Sequence, residues 1–204
     1  ARYELPESGE PLLPSPWREV NTMTASYGHG IAVTPLQVVR AVAAVANGGE
    51  LPDLTLLRRE PGETGHGTRV LTEETSRQMR WLMRLVVERG TGRKAEAPGY
   101  LVGGKTGTAD KLSASGGYAK NKRIATFVGA FPMDDPQYVV FAMVDEPKGI
   151  KESYGYATAG WVSAPVVGRV VERIAPLLGI APRRGDDEME TEQRIVPVVY
   201  RGTE

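Results

Sequence analysis

The chain has 204 residues, 41% apolar and 25% charged, enough for one domain with a full core and a tail. Its 25 basic and 25 acidic residues balance, which argues against nucleic acid as a partner, and no apolar run approaches the roughly 18 residues of a membrane span. The lack of cysteine excludes disulfides, thiol catalysis and cysteine-ligated zinc; with only His29 and His66 as imidazoles, no metal site is expected.

Residues 1–20 read as an extended arm, because Pro6, Pro11, Pro14 and Pro16 block a helix. The chain opens on Ala1 without an initiator Met or signal peptide, and is expected to be a processed or cut piece of a longer protein. Thr34-Pro35 starts a helix that runs to Ala46 and stops at Asn47-Gly48-Gly49; apolar on nearly every side, it is expected to be buried centrally. A short strand is predicted over residues 54–58, followed by a Gly-rich turn over 61–67 in which His66 is most simply solvated. Thr72 then caps a helix whose apolar stripe is Met79, Leu82, Met83 and Val86, with Trp81 as a core residue and Gly90-Thr91-Gly92 as its stop.

Three strands follow, over residues 100–108, 122–131 and 138–144. The first two are joined by a loop over 110–121, a potential lid, and the last two by the turn Pro132-Met133-Asp134-Asp135-Pro136, so an antiparallel meander is expected. A final helix spans about 163–178, with Val166, Val167, Val170, Val171 and Ile174 on its buried side. Residues 1–180 form the structured unit, and 181–204 a polar, charge-dense tail expected to be flexible.

Lys105-Thr106-Gly107-Thr108 concentrates the chemistry. On a strand it sets an ammonium and hydroxyls beside a backbone without side chain at Gly107, which suits an anionic peptide end lying along a strand edge. The same region, from Gly99 to Thr106, satisfies G-x-x-x-x-G-K-T, the phosphate loop of P-loop nucleotide hydrolases. That mechanism needs a strand before the first Gly and a helix starting at the Lys. Here residues 95–98 make a poor buried strand, and Thr106-Gly107-Thr108 favours a continuing strand over a helix.

Four stretches in order resemble class B penicillin-binding proteins, the peptidoglycan D,D-transpeptidases of bacterial cell division. They are Ser26-Tyr27-Gly28-His29-Gly30 with Val33-Thr34-Pro35-Leu36-Gln37, then Val102 through Ala109 around Lys-Thr-Gly, then Gly129-Ala130-Phe131-Pro132, and Val162-Ser163-Ala164-Pro165-Val166. The resemblance implies an α/β (α+β) fold, an antiparallel sheet covered by helices, of which residues 1–180 would be the C-terminal half of the transpeptidase domain. It implies a serine acyltransferase acting on D-Ala-D-Ala stem peptides at the periplasmic side of the inner membrane, inhibited covalently by β-lactams and working with cell-division membrane proteins.

Carried over residue by residue, the resemblance makes Lys105, Thr106, Gly107 and Thr108 the catalytic strand. Lys105 supplies positive potential, the Thr106 and Thr108 hydroxyls hold the terminal carboxylate, and the Thr108 amide is an oxyanion donor. His29, Tyr154 and Tyr156 are further substrate-binding candidates; for His29 a packing role, and for the tyrosines an ordinary loop role, are the alternatives. None of the eight serines has a Lys three residues later, and no Ser-x-Asn occurs, so the nucleophile and its base are expected to lie upstream and this chain to be inactive alone. Asp110 departs from the basic residue frequent just past this segment. The competing function is a non-catalytic ligand-binding or β-lactam-sensor module.

Overall fold

A computed structural model describes residues 4, 7, 9–60, 65, 67–112 and 117–183; His66, residues 113–116 and most of the predicted tail (184–204) lie outside the described residues. In chain order come α1 (Glu19–Ala25), α2 (Pro35–Ala46), β1 (Glu50–Pro52), β2 (Gly67–Arg69), α3 (Glu73–Glu88), β3 (Gly103–Leu112), β4 (Tyr118–Phe131), β5 (Tyr138–Asp145), α4 (Ala159–Val162) and α5 (Ala164–Ile174).

The expected meander is present: β3-β4-β5 form an antiparallel sheet with Lys105 opposite Val128, Thr106 opposite Phe127 and Phe127 opposite Ala142. Because side chains alternate across a strand, this register sorts residues onto two faces. One face carries Phe127, Phe131, Tyr138 and Val140, which pack with Val87 of α3, Tyr100, Val102 and the α5 residues Val167 and Val171. The other carries Ala130 and Val139, which pack with Val42, Val45 and Ala46 of α2, Met83 of α3 and Met133. Helices therefore cover both faces of the sheet, as expected.

The helix starts follow the local chemistry. The Thr34 hydroxyl accepts the Gln37 amide while the Gln37 side chain accepts the Thr34 amide, a reciprocal cap with Pro35 in the first turn. At α3 the Thr72 hydroxyl accepts the Thr75 amide, with Glu73 and Glu74 at the positive helix end. Ser76 ties the two helices together: its buried hydroxyl donates to the Val45 carbonyl at 2.6 Å and accepts the Gly48 amide at 3.0 Å. Ser76→Ala leaves both groups without that partner and is expected to cost about 1–3 kcal/mol in denaturant unfolding.

Several expectations need correction. The arm is not extended throughout: α1 forms after Pro16, yet it buries no residue, so no apolar periodicity announced it. No strand forms over 54–58; instead β1 and β2 pair as an antiparallel ribbon of three residues each, too short to show alternation. Helix α2 buries only Ala44 and Ala46, because the described elements packed on it leave most of its other residues half-buried. In α3 the buried residues are Ser76, Met83, Arg84 and Val87, while Met79 and Leu82 are exposed, a rotation of the expected stripe that Arg84 permits by bonding Glu88, Glu96 and the Val102 carbonyl. Strands β3 and β4 extend into the expected 110–121 loop as far as Leu112 and from Tyr118 onward, with a register shift between Asp110 and Leu112. The helix expected from 163 is α5, which starts there but stops at Ile174, and the short α4 before it was not expected; between them the buried Ser163 hydroxyl donates to the Ala125 carbonyl at 2.7 Å.

At the far end of the sheet Lys111 reaches Asp145 at 2.9 Å and Glu146 at 3.0 Å, and Lys122 lies 3.3 Å from Glu146. The Lys111 hydrogen bond, then that of Lys122, holds the Glu146 carboxyl below its ordinary value of 4.5. Bonds to Asp145 and Glu146 raise the Lys111 ammonium above 10.5. A lowered acid stabilises above its unfolded value and loses that contribution as pH falls through the folded one; a raised base loses it as pH rises past its own. Lys111→Met should therefore lower the melting temperature slightly at pH 7 in low salt, with the difference shrinking as pH falls through the lowered Glu146 value.

Candidate active site

Strand β3 has β4 on one side only; among the described residues no strand pairs with its other edge. Lys105-Thr106-Gly107-Thr108 lies along that edge. The glycines around it are close-approach positions. A Cβ at Gly104 would stand 2.4 Å from the Val128 carbonyl oxygen and 2.6 Å from the Phe127 ring, and one at Gly107 would stand 2.5 Å from the Thr126 hydroxyl. That hydroxyl instead donates to the Gly107 carbonyl at 3.2 Å. The segment is thus held tightly to β4 while its outer edge stays open.

Alternation divides the four residues. Lys105 and Gly107 share the face of Ala130 and α2, and Thr106 and Thr108 share that of Phe127 and α5. The exposed Lys105 side chain folds back so that its ammonium donates to the Thr106 carbonyl at 2.8 Å and lies 3.5 Å from the Thr106 hydroxyl. The two threonines line a pocket of about 480 Å³, together with Thr91, Thr158 and Trp161. Gly90, Arg93 and Lys94, from the turn after α3, and Ala159 and Gly160, from α4, complete it. The hydroxyls are anchored: Thr106 is 2.8 Å from that of Thr91, and Thr108 accepts the Ala159 amide at 3.1 Å. Among the described residues, four hydroxyls and two cations with no acidic residue in the lining make a chamber suited to a carboxylate or another oxyanion.

Trp161 organises the mouth. Lys94 sits over its ring at 4.2 Å, Tyr156 stacks on it with centroids 5.7 Å apart, and Tyr154 meets it edge-on at 5.6 Å. Tyr154 is 79% exposed and holds a left-handed backbone with φ of 52°, an uncommon conformation for a non-glycine residue. Both tyrosines thus flank the pocket without lining it. His29 is in the segment between α1 and α2, stacked on Tyr27 with centroids 6.3 Å apart, and is not among the lining residues. Asp110 pairs with Arg123 at 3.2 Å.

Sequence reasoning missed Thr91, Lys94, Thr158 and Trp161 as site residues. Three segments centred near 92, 107 and 160 converge here, and no spacing rule links them. The signal that was available was Gly90-Thr91-Gly92, whose glycines do more than stop a helix: a Cβ at Gly92 would stand 3.0 Å from the Phe127 ring.

Comparison with known proteins bears on this geometry. Residues 2–172 match the family model described as penicillin binding protein transpeptidase domain. The chain is 44% identical over 188 residues to a Caulobacter vibrioides protein named as a probable peptidoglycan D,D-transpeptidase FtsI, an alignment covering 88% of this chain and 32% of that one. The chain spans about a third of that relative's length. Among solved structures, the transpeptidase domain of Burkholderia pseudomallei penicillin-binding protein 3, in its apo form, matches with a TM-score of 0.79 and 36% identity, covering 90% of this chain and 55% of that one. Penicillin-binding protein 3 of Mycobacterium tuberculosis, complexed with ampicillin, matches with a TM-score of 0.76 and 25% identity, covering 91% and 44%.

Proposed function

The chain belongs to the penicillin-binding protein transpeptidase domain family, and on that premise we propose that it is the C-terminal half of a serine D,D-transpeptidase domain that cross-links peptidoglycan stem peptides during cell division. The observation that carries this is the open edge of β3, with the Thr106 and Thr108 hydroxyls lining a pocket beside it that has no acidic group among the described residues. A stem peptide ending in D-Ala-D-Ala lies along the edge as an added strand, its terminal carboxylate on the two hydroxyls. The Thr108 amide donates to the carbonyl oxygen as it gains negative charge.

The attacking serine comes from the part of the protein preceding this chain. Its hydroxyl oxygen bonds to the penultimate carbonyl carbon, the terminal D-Ala leaves as the free amino acid, and an amine of a neighbouring stem peptide then takes the acyl group. Lys105 supplies positive potential beside the nucleophile. β-Lactams enter by the same route and stay as stable acyl adducts, in keeping with the ampicillin complex of a similar structure. The protein works at the periplasmic face of the inner membrane, alongside membrane proteins of the division machinery, and the chain by itself does not acylate.

Intact-mass measurement after penicillin treatment tests this, on this chain and on the parent protein extended upstream through its Ser-x-x-Lys. The expected result is an adduct of one penicillin on the parent and none on the chain. An adduct on this chain would overturn the assignment of the nucleophile. No adduct on either would leave a non-catalytic binding module.

A further inference from the structure

We propose that Thr91 is a positioning residue for anion binding, acting through the hydroxyl of Thr106. The inference rests on the transpeptidase reading above and adds to it a residue outside the Lys-Thr-Gly strand. Thr91 follows α3 in a turn that is fixed on several sides. The Gly90 and Gly92 amides both bond to the Val86 carbonyl, at 3.1 and 3.0 Å. A Cβ on Gly160 would stand 2.5 Å from the Thr91 carbonyl oxygen, so the start of α4 is seated directly against this residue. With its backbone held from both sides, the Thr91 hydroxyl meets that of Thr106 at 2.8 Å.

The consequence follows from counting protons. A hydroxyl carries one proton and two lone pairs, whereas an ammonium only donates. Lys105 lies 3.5 Å from the Thr106 oxygen and can only give it a proton to share. If Thr91 donates as well, both lone pairs of Thr106 are engaged, and its single proton is directed into the pocket, where the carboxylate of the acyl donor accepts it. Among the described residues the pocket lining supplies no acidic group to compete for that proton. Without the Thr91 hydroxyl, the Thr106 hydroxyl is free to rotate and must be re-ordered each time a ligand binds, which weakens binding without removing the contact.

The test is the second-order rate of penicillin acylation of the parent protein, with melting temperatures recorded alongside. Thr91→Val, which keeps the shape and removes the hydroxyl, should slow acylation up to about 10-fold, the weight of one hydrogen bond between neutral groups. Thr91→Ser should recover most of that loss, and Thr91→Ala should behave as Thr91→Val if the smaller side chain folds better. The decisive comparison is the Thr106→Val background, where adding Thr91→Val should cost no more than a further factor of about 2 if the two residues act as one unit. An equal 10-fold loss in both backgrounds, or no rescue by Ser, would show that Thr91 acts through packing and overturn the proposal while leaving the transpeptidase reading intact. A wild-type parent that takes no penicillin would overturn both.

Discussion

Lys105→Ala in the parent protein is expected to reduce penicillin acylation by about 10²-fold or more, the size of effect seen when one preorganised electrostatic stabiliser is removed. Stability should hardly change, within about 0.5 kcal/mol, because the exposed ammonium contacts only neighbouring atoms of Thr106. That separation of effects is the point of the measurement. A residue whose bonds are this local has no structural reason to be a lysine. Stopped-flow acylation with parallel thermal melts reads both quantities. Loss of stability with little change in rate would remove Lys105 from the reaction.

The second large effect concerns the support beneath the site. Phe127→Ala should cost about 3–5 kcal/mol in denaturant unfolding. Phe127 is fully buried, and its ring lies where Cβ atoms of Gly92, Gly104 and Gly129 would be, at 3.0, 2.6 and 3.0 Å. Those glycines let the turn after α3, β3 and β4 close on one ring, so the cavity left by Ala would open between Thr91 and the strand it orients. Phe127→Leu should lose much less. A Phe127→Ala loss below about 1 kcal/mol would mean that the surroundings collapse into the space, and that the ring does not hold these elements in place.

Much of this was legible in the sequence. The α2 and α3 caps are local: Thr34-Pro35 with Gln37, and Thr72 with Thr75, act within one turn, and the structure closes both as hydrogen bonds. The meander was legible because the turn over 132–136 and the apolar runs beside it are local as well. What failed depended on distant partners. Helix α2 looked central because its composition is apolar all round, yet burial depends on what packs there, and the described residues cover most of it only in part. The pocket failed for the same reason: Thr106 and Thr108 could be named from their motif, but Thr91 and Trp161 become site residues only when α3 and α4 close on β3. The α4 turn before Ser163 was missed because it is four residues long and the Ala125 carbonyl bonded by Ser163 is 38 residues away.

The central claim is that β3 presents Lys105 to Thr108 as the substrate strand of a serine transpeptidase. A crystal structure of the parent protein acylated by a penicillin tests it most directly. The expected structure shows one covalent adduct on an upstream serine, the drug lying along the free edge of β3, and its carboxylate within hydrogen-bond distance of the Thr106 and Thr108 hydroxyls. An adduct whose carboxylate is bound elsewhere, with both threonines untouched, would contradict it.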